Sequence, residues 1–233
     1  MTEFALPTQS SLLSGLFSRD VLTAELTGVA DRACLLPAEL PLIANVAPKR
    51  AADFIAGRCC ARFLLASWNL QDVPLLSGAN REPLWPSGVT GSITHTQGFC
   101  GVAIAKTAFY ESMGLDTESA TAVGEDILHQ VCTPQEARWL DTLNGTHRSL
   151  ARSLIFSAKE AFFKCQFPLT GEWVGFEDVI VHIGDDMASD SGMLTLEPLR
   201  ALRFSDLDFG RLHCRYRFHD KWISVGVSLA RHQ

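Results

Sequence analysis

Apolar positions recur at helical spacing through residues 48–68, PKRAADFIAGRCCARFLLASW, where Phe54, Ala61, Leu64, Leu65 and Trp68 mark one face and Pro48 suits a first turn. Residues 74–91 are turn-rich, with Pro74, Gly78, Pro83, Pro86, Gly88 and Gly91. Two short strands, SITHT and the wholly apolar FCGVAIA, then flank a Gln97-Gly98 turn, and SMGLDTES at 112–119 reads as a third strand, polar at its end. Thr133-Pro134-Gln135-Glu136 is a capping box with proline at the first helical position, so a helix starts there. The spacing predicts another helix over about 148–165. Beyond Pro168 come four β-like segments, EDVIVHI, GMLTLEPL, LHCRYRFH and WISVGVSLA, the last two poised to pair antiparallel across Asp220-Lys221. Residues 1–47 hold only mixed short segments rich in Leu, Ala and Pro. Strands and helices do not alternate regularly, which favours an α+β fold over a doubly wound sheet. A division near residue 112 gives two halves, 1–112 and 113–233, each with helix and strands.

Composition narrows the class. A chain of 233 residues that is 47% hydrophobic and 20% charged has enough apolar mass for a sizeable core. Its net charge of −6 argues against a general nucleic-acid binder, while leaving room for a local basic pocket. Seven cysteines, an odd number with no CxxC pair, argue against a disulfide framework or zinc ribbon and for a reducing, cytoplasmic setting. The N-terminal stretch carries Glu3 and no basic flank, unlike a signal peptide, and no run of 18 apolar residues marks a membrane span.

Charge placement raises the chemistry. Asp116 and Glu118, two apart on a strand, point to one face and repel unless they are solvated or share a cation. Hard carboxylate oxygens suit Mg²⁺ bound together with substrate phosphates; the same pattern also describes a solvated strand end. In FSAKEAFFKC at 156–165, Glu160 and Lys164 share a helix face and Lys159 lies beside them, amid three phenylalanines. A surface Glu–Lys pair accounts for the charges, but not for the aromatics, whereas a cleft lined by charge and backed by rings accounts for both. His95 ends a strand; Arg50, Arg58 and Arg62 recur along the first helix, and Arg81 lies in the turn-rich stretch. Carboxylates for a metal and cations for phosphates form the inventory of phosphoryl transfer. A metal-dependent phosphodiesterase or nuclease draws on the same inventory, but its usual Glu-x-Lys strand order is missing.

Taken in order, these blocks resemble the 4′-phosphopantetheinyl transferase superfamily, its Sfp-type group, and within that the enterobactin-synthase-component-D-like bacterial branch. Gly114-Leu115-Asp116-Thr117-Glu118 and Phe156-Ser157-Ala158-Lys159-Glu160-Ala161-Phe162-Phe163-Lys164 match the two signature segments. REPLWPSGVTGSITHT, KRAADFIAGRCCAR and FPLTGEWVGFEDV resemble the flanking blocks, with Thr94 where many relatives have serine. The resemblance implies two similar subdomains, each an antiparallel sheet packed with helices, related by a pseudo-twofold axis with coenzyme A between them. It implies transfer of the phosphopantetheine arm to a serine of an acyl or peptidyl carrier protein, releasing 3′,5′-ADP, by a monomer. Asp116, Glu118 and Glu160 are the implied ligands of Mg²⁺ or Mn²⁺. Glu160, with Glu118 able to share the task, is the implied base, and Lys164 the implied pyrophosphate contact or acid. Lys159, Arg50, Arg58, Arg81, Thr94 and His95 are the implied contacts to the nucleotide and its phosphates. A coenzyme A binder without catalysis is the non-enzymatic alternative, which three crowded carboxylates argue against. Arg138, Arg148 and Arg152 are candidates for carrier docking.

Overall fold

Strands with one apolar face build two antiparallel sheets, and a long helix covers each. The computed structural model describes residues 4–184, 189–201 and 208–231. In chain order the strands are β1 (Thr8–Gln9), β2 (Leu22–Thr27), β3 (Leu76–Ser77), β4 (Pro83–Leu84), β5 (Val89–Thr96), β6 (Phe99–Lys106), β7 (Tyr110–Ser119), β8 (Val179–Ile183), β9 (Ser191–Pro198), β10 (Leu212–His219) and β11 (Trp222–Ala230). The α-helices are α1 (Pro48–Leu65), α2 (Leu128–Val131), α3 (Pro134–Leu140) and α4 (Gly145–Thr170). One sheet has the order β1-β2-β6-β5 and the other β7-β11-β10-β9-β8, while β3 and β4 make a separate ribbon. Against the first sheet α1 packs Ala56, Cys60, Ala61 and Leu64 over Ala24, Leu26, Val102 and Ile104. Against the second, α4 packs Leu154, Ala158, Ala161, Phe162 and Cys165 over Val225 and Val227. Two alike α+β units result, as the resemblance implies.

The predicted elements stand with two amendments. The second long helix is longer than the apolar spacing indicates. Asn144 caps its start by accepting from the His147 amide at 3.0 Å, and Gly171, at φ +62°, closes its end. Pro168 does not stop the helix, because in the last turn a missing N–H removes a single bond. The N-terminal segment, without pattern in the sequence, forms β2 and a plug. Leu12, Leu13, Leu16 and Phe17 are buried with Phe99, Ala103, Met113 and Leu115 where the two units meet. Arg215 and Arg217 of β10 donate to the carbonyls of Gly15 and Ser14 at 3.3 and 3.0 Å, tying the plug to the second sheet.

The meeting of the two sheets carries the site. Strand β7 bonds to β11 along one edge. Along the other, the Leu115 amide donates to Ser92 Oγ at 2.9 Å and the Thr117 amide to Thr94 Oγ1 at 2.8 Å. Hydroxyls of β5 thus replace the carbonyls that a neighbouring strand would offer to buried amides. All seven cysteines are free thiols. Among the described residues no helix is long and apolar enough to cross a membrane.

Candidate active site

Alternation along β7 turns Asp116 and Glu118 to the same side, where α4 crosses. The close approach of that helix depends on Gly114. A Cβ there would overlap the Ala161 carbonyl oxygen and stand 2.8 Å from the Cys165 amide nitrogen, so helix backbone lies directly on strand backbone. The turn of α4 that carries Glu160 and Lys164 is thereby set against Asp116. Lys164 Nζ donates to Asp116 Oδ1 at 2.7 Å and to the Leu115 carbonyl at 3.2 Å. Thr94 and Thr96 of β5 approach the Asp116 and Glu118 carboxylates, each at a long 3.4 Å.

This group is electrostatically unfinished. Asp116 is 4% exposed and its Oδ2 is buried without a hydrogen-bond partner. Burial first, and the charge of Asp116 second, push the Glu118 carboxyl up to about 7 against the pull of Lys164. Burial also raises Glu160, which Lys164 opposes and Asp116 reinforces. Asp116 and Lys164 thus act on both Glu118 and Glu160. The three carboxylates do not yet form a coordination shell: among the described residues no three His, Cys, Asp or Glu side chains are gathered as a metal group. Lys164 is the counter-ion in this arrangement, so it faces Asp116 rather than open solvent.

The other expected contacts divide sharply. Arg50 lies exposed in the first turn of α1. Asp53, one turn on, stands with Oδ2 3.8 Å from Nδ1 of the exposed His95, which places the Arg50 face of α1 beside the end of β5. Arg81 is exposed in the β3–β4 turn at φ +70°. By contrast, Arg58 is engaged by the protein itself. It is 5% exposed, stacked on Phe54, and donates to the Leu75 carbonyl at 2.7 Å and to Ser77 Oγ at 3.1 Å, so it fastens the turn-rich loop to α1. Thr94 is 1% exposed; its hydroxyl accepts from the Thr117 amide at the seam between β5 and β7 and lies 3.4 Å from Asp116 Oδ1. Lys159 lines the same cavity as Glu160, but its ammonium is buried and bonded to Glu136 and to two backbone carbonyls. Arg148 pairs with Glu125 and Asp141, Arg152 is buried against Glu125 and the Val123 carbonyl, and Arg138 is exposed.

Sequence reasoning missed the partners of these buried cations. Glu39, wholly buried, accepts from Arg62 Nη2 at 2.7 Å and from the Leu36 and Leu75 amides, each at 2.8 Å. Nothing local distinguishes Glu39 from a surface acid. The capping box around Glu136 was legible, but not its second use as the counter-ion of Lys159.

A cavity of about 390 Å³ adjoins the acidic group and shares Glu160 with it. Phe163, Trp173, Val174 and Phe176 give it apolar walls and Glu177 a second acid. The phenylalanines of α4 are explained by their neighbours: Phe162 packs on Phe209, Phe163 on Phe167 and Trp173, and Phe156 on Phe176, with centroids 5.1–5.5 Å apart.

An acidic group with a lysine among it thus lies at the seam of two α+β units, beside the end of β5 that carries the exposed His95. The chain belongs to the 4′-phosphopantetheinyl transferase superfamily. The superfamily model matches residues 112–220, and the model of the 4′-phosphopantetheinyl transferase N-terminal domain matches residues 38–105. The chain is 40% identical over 157 residues to the 4′-phosphopantetheinyl transferase Npt of Nocardia iowensis, covering 67% of this chain and 70% of that protein. It is 33% identical over 183 residues to the 4′-phosphopantetheinyl transferase PptT of Mycobacterium tuberculosis, covering 78% and 80%. Enterobactin synthase component D of Escherichia coli is 35% identical over 118 residues, half of this chain and 54% of that one.

Proposed function

We propose that this chain transfers the 4′-phosphopantetheine group of coenzyme A to a serine of an acyl or peptidyl carrier protein and releases 3′,5′-ADP. The observation that carries the reading is the buried, partnerless oxygen of Asp116, set among Glu118, Glu160 and Lys164 beside an apolar cavity. In this reading residues 1–112 hold the nucleotide, through Arg50, Arg81 and His95, and residues 113–233 hold the reacting phosphates. The pantetheine arm lies in the cavity that Glu160 shares. Free thiols throughout support a reducing cytoplasm, where the chain acts as a monomer.

A hard divalent cation fits the donors present. Asp116 offers an oxygen with no other partner, and burial raises the carboxyls of Glu118 and Glu160 although Lys164 pulls both down, so a further cation would relieve the group. Asp116, Glu118 and Glu160 would hold Mg²⁺ or Mn²⁺, which supplies charge neutralisation at the pyrophosphate. The protein's own part is positional and protonic. Lys164, released from Asp116, stabilises the charge that develops on the leaving 3′,5′-ADP. Glu160 takes the proton of the carrier serine, with Glu118 able to share the task. The serine oxygen bonds to the phosphorus that bears pantetheine as the bond from that phosphorus to the bridging oxygen breaks.

The test is labelling of a panel of apo carrier proteins with fluorescent coenzyme A, with magnesium and with chelator. Wild type should label a carrier only with the metal, and Glu160→Gln should keep its melting temperature while losing transfer. A fully active Glu160→Gln removes that residue from the mechanism. Plasmid cleavage without any carrier labelling would replace the reading with a nuclease.

A further inference from the structure

Lys159 stands next to Glu160 in the chain yet points into the protein. Its ammonium has three N–H groups, and each has an acceptor: the Val131 carbonyl at 3.0 Å, Glu136 Oε2 at 2.7 Å and the Phe176 carbonyl at 2.7 Å. The side chains of Lys159 and Glu136 are 3% and 1% exposed. Glu136 is itself held, accepting from the Thr133 amide at 2.7 Å and from the Val181 amide of β8 at 2.8 Å. Five elements, α2, α3, α4, the turn at Phe176 and β8, thus meet at one buried ion pair. One of them, through Phe176, is a wall of the cavity that Glu160 shares. Burial draws the Lys159 ammonium below its ordinary range, and the Glu136 carboxylate opposes that fall. Such a pair contributes little net stability compared with apolar packing, but it enforces one arrangement, because any other leaves a buried charge unpaired.

We infer that Lys159 is a positioning residue: paired with Glu136, it holds the Phe176 wall at a fixed distance from the Glu160 turn and so shapes the cavity for a slender pantetheine chain. This rests on the proposed function, which places the arm of coenzyme A in that cavity. Lys159 itself touches no phosphate. It therefore governs how well the arm is held and not how well the nucleotide is held, although it sits within the signature segment.

Two ligands separate these roles, since coenzyme A has the arm and 3′,5′-ADP lacks it. Calorimetric titration of the full chain with each, for wild type, Lys159→Met and Glu136→Gln, supplies the comparison. Loss of a charge-assisted hydrogen bond should weaken coenzyme A binding about tenfold in both variants and leave 3′,5′-ADP unchanged. Glu136 touches Lys159 but not Glu160, so a selective loss in Glu136→Gln that matches the loss in Lys159→Met reports on the pair. Equal losses for both ligands in Lys159→Met would make Lys159 a phosphate contact and overturn the inference, as would unchanged affinity for coenzyme A. Wild type keeps the idea testable should neither variant fold: coenzyme A, but not 3′,5′-ADP, should slow amide exchange in residues 173–179. Coenzyme A that binds without that protection sinks the inference alone, whereas a wild type that binds no coenzyme A sinks the proposed function.

Discussion

Gly114 is where α4 rests on β7, and replacing it with alanine tests whether that contact sets the site. The added Cβ would overlap the Ala161 carbonyl oxygen and stand 2.8 and 2.9 Å from the Cys165 nitrogen and the Ala161 carbonyl carbon. These are backbone atoms of a helix, with no flexible end to swing aside. Restoring an ordinary carbon–oxygen separation of about 3.3 Å requires the helix or the strand to retreat by about 1.5 Å. Overpacking of this kind costs about 1–3 kcal/mol. The same movement carries Glu160 and Lys164 away from Asp116, and a misplacement of about 1 Å lowers the rate of a positioned reaction by about 100-fold. Gly114→Ala should therefore lose activity out of proportion to stability. Urea unfolding at 25 °C gives the stability, and the rate of carrier labelling on folded protein gives the activity. A variant that keeps both wild-type values, or loses stability without losing rate, refutes the claim that this contact positions Glu160.

Three further outcomes are expected. Glu118 is raised on folding from 4.5 to about 7, so the native state binds its proton more tightly and stability falls as pH climbs through that window. In chelator, Glu118→Gln should thus gain melting temperature over wild type at pH 8 but hardly at pH 5, and a difference that does not grow with pH counts against the assignment. Glu39→Ala strips the buried partner from Arg62 and should cost about 3–5 kcal/mol in urea unfolding; a loss below about 1 kcal/mol would mean the pair is not structural. Arg50→Ala, exposed and outside the core, should raise KM for coenzyme A with kcat and melting temperature unchanged, and an unaltered KM takes Arg50 out of the site.

Local patterns made much of this fold legible. Helix α1, the β5–β6 and β10–β11 hairpins and the α3 cap all follow from residues a few positions apart, because turn chemistry, capping and apolar period act over that range. The two signature segments identified the family for the same reason, since each is contiguous. What lay beyond reach were the pairings across long separations. Helix α4 overran its predicted end because Asn144 and Gly171 bound it, not the apolar period and not Pro168. The plug at residues 12–17 has no pattern of its own, and its burial comes from a seam made by β6 and β7.

Sequence alone determined which residue types the proposed chemistry can draw on: two acids two apart on a strand, and an acid and a lysine one turn apart on a helix. Tertiary structure decided which charges are at liberty to use it. Arg58, Lys159 and Arg50 look alike as cations in a string of letters, but 17 to 28 residues separate the first two from the groups that accept their hydrogen bonds. Whether a cation meets a ligand or a buried partner depends on the distance and desolvation of groups remote in the chain, which only the folded arrangement brings together.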